Sequence, residues 1–121
     1  MDNNFNNDKP IYLQLMDKFR ELIIKGDYQL GSRLPSVREY ALYFNVNPNT
    51  VQKALSELEK EKIIITDSTN GRYVTSDKEL IENIKKDLIK CKIKEFITNM
   101  ENIGISFEEI ENYLKEIGDM K

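Results

Sequence analysis

Apolar residues recur at Tyr12, Leu15, Met16, Phe19, Leu22 and Ile23, the spacing of an amphipathic helix with one core-facing stripe. Pro10 opens that helix and Gly26 closes it, since proline suits a helix start and glycine a helix end. Leu30 to Leu34 reads as a short extended connection, a minimal strand at most. Two helices follow, about 36–44 and about 48–60, with Val51, Ala54, Leu55 and Leu58 on one face of the second. The period then changes. Ile63-Ile64-Ile65-Thr66 is a β-branched run, Asp67-Ser68-Thr69-Asn70-Gly71 supplies turn residues, and Arg72-Tyr73-Val74-Thr75 makes a second short strand. Helical spacing returns with Leu80, Ile84, Leu88, Cys91, Ile93, Phe96, Ile97 and Met100. Gly104 interrupts it, and Phe107, Ile110, Leu114 and Ile117 form a last stripe. The predicted fold is mainly α with a small β-hairpin.

The boundaries carry their own chemistry. Ser36-x-x-Glu39, Ser76-x-x-Glu79 and Ser106-x-x-Glu109 are three capping boxes, each able to satisfy two orphan amides at a helix start. Asn47 is the predicted N-cap of the helix that begins at Pro48, and Asn45 takes the turn position that needs a positive φ. Ala41, Asn45 and Val51 then have the small-residue, turn-residue and anchor spacing of a helix-turn-helix. Asn49, Gln52, Lys53 and Ser56 share a polar face at the start of its second helix, the end that enters a major groove. Glu57, Glu59 and Glu61 come at the far end. Three helices closed by a hairpin make a winged helix-turn-helix, with Asn70, Gly71 and Arg72 at the wing tip, placed to touch a sugar-phosphate backbone or a minor groove.

The last two helices are expected to form an antiparallel hairpin too small to bury its own apolar surface. Either it folds back on the winged helix or it pairs with a second copy, and an isolated two-helix appendage favours pairing. A homodimer would then use Leu88, Phe96, Ile97, Met100, Phe107, Ile110, Leu114 and Ile117. Three segments result: a flexible, asparagine-rich arm over 1–9, a DNA-binding domain over 10–76, and a two-helix dimerisation element over 77–121.

Composition narrows the chemistry. With one cysteine, Cys91, and no histidine, neither an internal disulfide, a zinc site nor a histidine-based catalytic centre can be built. There is no Gly-rich phosphate loop, so an enzyme is not expected, nor a cofactor or metal. No apolar run approaches the roughly 20 residues of a membrane span, and the N-terminus is not signal-like. A cytoplasmic protein is expected, without a membrane partner. The net charge of −3 argues superficially against nucleic acid, but its distribution does not. Residues 10–75 hold nine Lys/Arg against eight Asp/Glu, whereas 76–121 hold eight lysines against eleven acids. The alternative is therefore a winged helix that docks a protein without reading DNA, supported only by this near-neutral domain and acidic tail.

Four motifs, Pro10-Ile11-Tyr12-Leu13-Gln14, Gly31-x-x-Leu34-Pro35-Ser36-Val37-Arg38-Glu39, Val46-Asn47-Pro48-Asn49-Thr50-Val51 and Gly71-x-Tyr73-Val74, together resemble the GntR family of bacterial transcription regulators. The short remainder after the wing resembles its YtrA-like branch, which ends in a two-helix dimerisation element. The resemblance implies a homodimer on a palindromic, double-stranded operator, usually a repressor. The effector, the operator sequence and the regulated genes are not implied. By position, Ser36 and Arg38 look like the family's contacts from the second helix, Arg38 reaching a phosphate or a guanine edge. Asn47, Asn49, Thr50, Gln52 and Lys53 match its recognition-helix contacts, with Thr50 suited to a phosphate and Asn49 and Gln52 to adenine. Two departures stand out: Pro48-Asn49 replaces an arginine common at the recognition-helix start, and Thr69 replaces the first of two wing glycines.

Overall fold

In the computed structural model, residues 5–119 are described. Residues 1–4 of the expected arm, and residues 120–121, lie outside them. The chain runs α1 (Ile11–Lys25), α2 (Val37–Phe44), α3 (Pro48–Lys60), β1 (Ile64–Asp67), β2 (Gly71–Val74), α4 (Lys78–Asn102) and α5 (Phe107–Asp119). It divides into two compact units, one reaching to Ile84 and one from Lys85 onward, so the division falls within α4.

In the first unit, α1 starts after Pro10 and ends at Gly26, whose φ of 93° is the left-handed cap that glycine takes without strain. Its Leu15 and Phe19 are fully buried against Val51, Ala54, Leu55 and Leu58 of α3 and Tyr40 and Phe44 of α2. Phe19 meets Tyr40 edge-on, with ring centroids 4.9 Å apart. Each such aliphatic or aromatic side chain contributes about 1.5–3 kcal/mol on burial. The buried Tyr40 keeps its hydroxyl satisfied by donating to the Tyr28 hydroxyl at 2.8 Å.

The described part of the expected arm makes specific contacts. Phe5 packs edge-on against Phe44, and Gln14 accepts from the Asn6 amide while donating to the carbonyls of Asn6 and Lys9. Lys9 pairs with Asp17. Gln14, a buried polar residue, thus ties this segment to α1 through main-chain bonds.

β1 and β2 are antiparallel, with Ile64 opposite Val74 and Asp67 opposite Gly71. Both strands lie one residue off the sequence expectation. Lys62, at φ 65°, makes the left-handed turn out of α3, and the hairpin closes around Ser68-Thr69-Asn70. The connection before α2 adds a third rung: Arg33 bridges Tyr73, the Leu34 amide donates to the Arg72 carbonyl, and the Val74 amide donates to the Ser32 carbonyl. The expected Ser76 cap on α4 is not formed. Asp77 takes that place, its carboxylate accepting from the Leu80 amide at 3.1 Å, while the Ser76 hydroxyl lies beside Gly31. Ile81 enters the first unit's core, and Ile84 packs against it.

In the second unit, Gly104 at φ 79° ends α4, and the Gly104 and Ile105 amides donate to the carbonyls of Glu101 and Met100. Ser106 caps α5, accepting from the Glu109 amide and donating to its carboxylate. Ile110 is buried, Leu88, Ile97 and Met100 are half-buried, and Phe96 is exposed. Phe107, Leu114 and Ile117 stay more than half exposed, at 58%, 56% and 53%. Phe96, Met100, Ile105, Ile110, Tyr113 and Leu114 line an apolar groove of about 340 Å³ in this unit.

Candidate nucleic-acid interface

Two helix starts and a hairpin tip carry the predicted contact residues. α2 starts with the complete capping box: the Ser36 hydroxyl accepts from the Glu39 amide at 3.1 Å, and the Glu39 carboxylate accepts from the Ser36 amide at 3.3 Å. Ser36 and Arg38 are both exposed. The helix ends at Asn45, whose φ of 55° sets the turn and lets the Val46 amide return to the Ala41 carbonyl. α3 then begins with Asn47, whose side-chain oxygen accepts from the Asn49 amide at 2.8 Å, and Pro48 at the first helical position.

On α3, Asn49, Gln52 and Lys53 are exposed and Thr50 is half-buried, on the side away from Val51, Ala54, Leu55 and Leu58. Asn47 is committed in part to the cap. Gln52 donates to the Ser56 hydroxyl at 3.3 Å, and the Lys53 ammonium lies 4.1 Å from the centre of the Tyr12 ring. That cation–π contact gives Tyr12, a motif residue from α1, a role in holding a lysine of the polar face.

At the wing tip, Asp67 gathers the turn around its carboxylate. Thr69 donates to it through both hydroxyl (2.7 Å) and amide (2.9 Å), and the Asn70 side-chain amide donates at 2.9 Å. Those bonds, led by the Thr69 hydroxyl, hold the Asp67 carboxyl down at about 2. Thr69 therefore replaces a glycine's backbone freedom with a side-chain bond. Gly71 still takes the left-handed conformation, at φ 99°.

Arg72 points elsewhere. Its Nε donates to Glu59 Oε1 at 2.8 Å, both side chains being mostly covered. Partial burial opposes ionisation of Glu59, but hydrogen bonds from Thr66 and Arg72 outweigh it and lower its pKa. Arg20 is likewise held by Glu61, through two bonds of 2.8 and 2.7 Å, and by Asp17. Among the described residues, neither Arg33 nor Arg38 has a carboxylate partner. The near-neutral count of this domain thus hides two unpaired guanidinium groups near the start of α2.

The tertiary structure brings Ser36 and Gly71 to a common cleft of about 600 Å³ between the start of α2 and the wing. Arg33 and Arg72 also line it. Arg33 was not singled out in the sequence, where 30–34 reads only as an extended connection. Its pairing with Tyr73, across a separation of forty residues, is what places it there.

Residues 11–74 match the family model described as bacterial regulatory proteins, gntR family. Over 110 residues the chain is 40% identical to the HTH-type transcriptional repressor YtrA of Bacillus subtilis, covering 89% of this chain and 84% of that protein. It is 35% identical over 115 residues to an uncharacterized HTH-type transcriptional regulator, YhcF, of the same organism, covering 95% of each. Among solved structures, a GntR family transcriptional regulator from Listeria monocytogenes superposes with a TM-score of 0.84 at 40% identity, over 93% of this chain and 98% of that one.

Proposed function

Because the chain belongs to the GntR family of bacterial regulatory proteins, in its YtrA-like branch, we propose that it represses transcription as a homodimer bound to a palindromic operator. It is a DNA-binding transcription regulator with a winged helix-turn-helix. The family and these relatives are regulators and not enzymes. No helix among the described residues is long and apolar enough to cross a membrane, and the proposed place of work is the cytoplasm, with the DNA.

The observation that carries the reading is the capped α2–turn–α3 unit, whose exposed polar face begins at the end of α3 that would enter a major groove. In this reading Asn49 and Gln52 read base edges and Thr50 and Ser36 meet phosphates. Arg38, with no carboxylate partner among the described residues, takes a phosphate or a guanine, and Lys53 and Asn47 border the groove. Asn70 and Gly71 approach the backbone from the wing. Apolar side chains that stay exposed in the second unit, Phe107, Leu114 and Ile117 beside the buried Ile110, support pairing of two copies there. Two reading heads on one dimer match the two-fold symmetry of a palindrome.

Selection of bound duplexes from random DNA, followed by mobility shift on the recovered site, tests this. The expected outcome is an inverted repeat bound with steep salt dependence. Absence of any sequence-specific, salt-sensitive complex would overturn it in favour of a protein-docking module.

A further inference from the structure

We propose that the wing engages the DNA backbone through Arg33, which lies outside the hairpin, while Arg72, the hairpin's own arginine, is a strut that fixes the wing to α3. The proposal rests on the DNA-binding reading above and assigns a residue that the motifs leave unassigned.

Side chains alternate between the two faces of a strand, and that alternation separates the two arginines. Arg72 and Val74 share one face of β2, and Val74 is buried at 1% exposure, so this is the face turned to the core. There Arg72 meets Glu59 of α3 at 2.8 Å, and its charge is already matched. To reach a phosphate it would have to leave that carboxylate unpaired and partly covered. Gly71 and Tyr73 point to the opposite face. Arg33 bridges Tyr73, so its side chain shares that outer face, and it is exposed with no carboxylate partner among the described residues.

Gly71 completes the arrangement. A Cβ there would come within 3.4 Å of Arg33 Nε and Nη2, so the guanidinium occupies the space beside Gly71, next to the wing tip. With Arg72, it lines the cleft beside Ser36 and Glu39 at the start of α2, where the Glu39 carboxylate is engaged by the Ser36 amide. An exposed guanidinium with no carboxylate partner among the described residues, beside the wing tip, suits a phosphate of the DNA backbone. A contact of this kind carries affinity but no sequence information.

The test is a fluorescence-anisotropy titration, over a range of salt, of duplex recovered by the native protein from random DNA and of unrelated duplex. Arg33→Ala is expected to weaken both complexes by a similar factor and to lower the slope of log K against log salt by about 1 for each bound chain. Arg33→Lys is expected to keep the slope. Arg72→Ala is expected to keep the slope and to lower the melting temperature, since it releases the wing from α3. An Arg33→Ala protein with the parent's slope, or an Arg72→Ala protein that loses slope while melting with the parent, would overturn the assignment. A parent protein that binds neither duplex would instead overturn the DNA-binding reading itself.

Discussion

Replacing Ser36 separates folding from DNA contact. Its hydroxyl is the N-cap of α2, accepting from the Glu39 amide at 3.1 Å, and it stands exposed at the start of the proposed DNA-facing helix. Ser36→Ala deletes that acceptor and leaves an amide at the start of an eight-residue helix without its protein partner. Loss of an N-cap costs about 1 kcal/mol, within a range of roughly 0.5–2. For a cooperative unit of this size that is about 4–8 °C in melting temperature. Ser36→Asp restores an acceptor in the same place and adds a charge that the helix N-terminus favours, although Glu39 partly offsets the gain. Its stability should return to within about 0.5 kcal/mol of the parent. The same carboxylate would face a phosphate in the complex and should weaken operator binding well beyond Ser36→Ala, most strongly at low salt. Thermal melts by circular dichroism and anisotropy titrations on one set of proteins give both readouts. Ser36→Ala melting with the parent would refute the capping argument. Ser36→Asp binding DNA as tightly as the parent would refute the placement of this residue at the backbone.

Other outcomes follow from single contacts. Asn45→Ala puts a Cβ without a compensating side chain at φ 55° and should lower stability by about 1–2 kcal/mol in urea unfolding, while Asn45→Gly should stay near the parent; equal losses would remove the left-handed turn as the cause. The Asp67 carboxyl, held at about 2 against an ordinary 3.8, keeps the wing tip ordered above 3.8 and releases it as pH falls toward 2. Amide NMR shifts of Thr69 and Asn70 should therefore titrate near 2, and a midpoint at 3.8 or above would contradict the bonding at the tip. Leu114 is 56% exposed in the single chain, so Leu114→Glu should leave the fold intact and yield a monomer by light scattering. A dimer of unchanged mass would exclude that face.

Much of the architecture was legible because its causes are local. Ser36-x-x-Glu39, Asn45 and Asn47-Pro48 specify helix starts and a turn within a few residues of one another, and each has the geometry expected of it. The same local reasoning chose wrongly at Ser76. Only Ser76 was read as the cap there, but the next residue, Asp77, holds the Leu80 amide, and the Ser76 hydroxyl lies beside Gly31 of a distant segment. Strand limits slipped by one residue for a related reason, since pairing partners rather than β-branching define where a ladder ends.

The wing shows where sequence and tertiary structure part. By itself, the sequence determined that a hairpin with a polar tip follows the recognition helix, and that Arg72 belongs to it. Which arginine remains free to meet an anion was decided only in three dimensions. Glu59 lies on the preceding helix and Arg33 on a segment far earlier in the chain, and the sheet's alternation sends the two guanidinium groups to opposite faces. Capping and turn formation are short-range and leave a signature in neighbouring residues. Charge pairing across elements depends on register and packing, and neither is written in the spacing of any one segment.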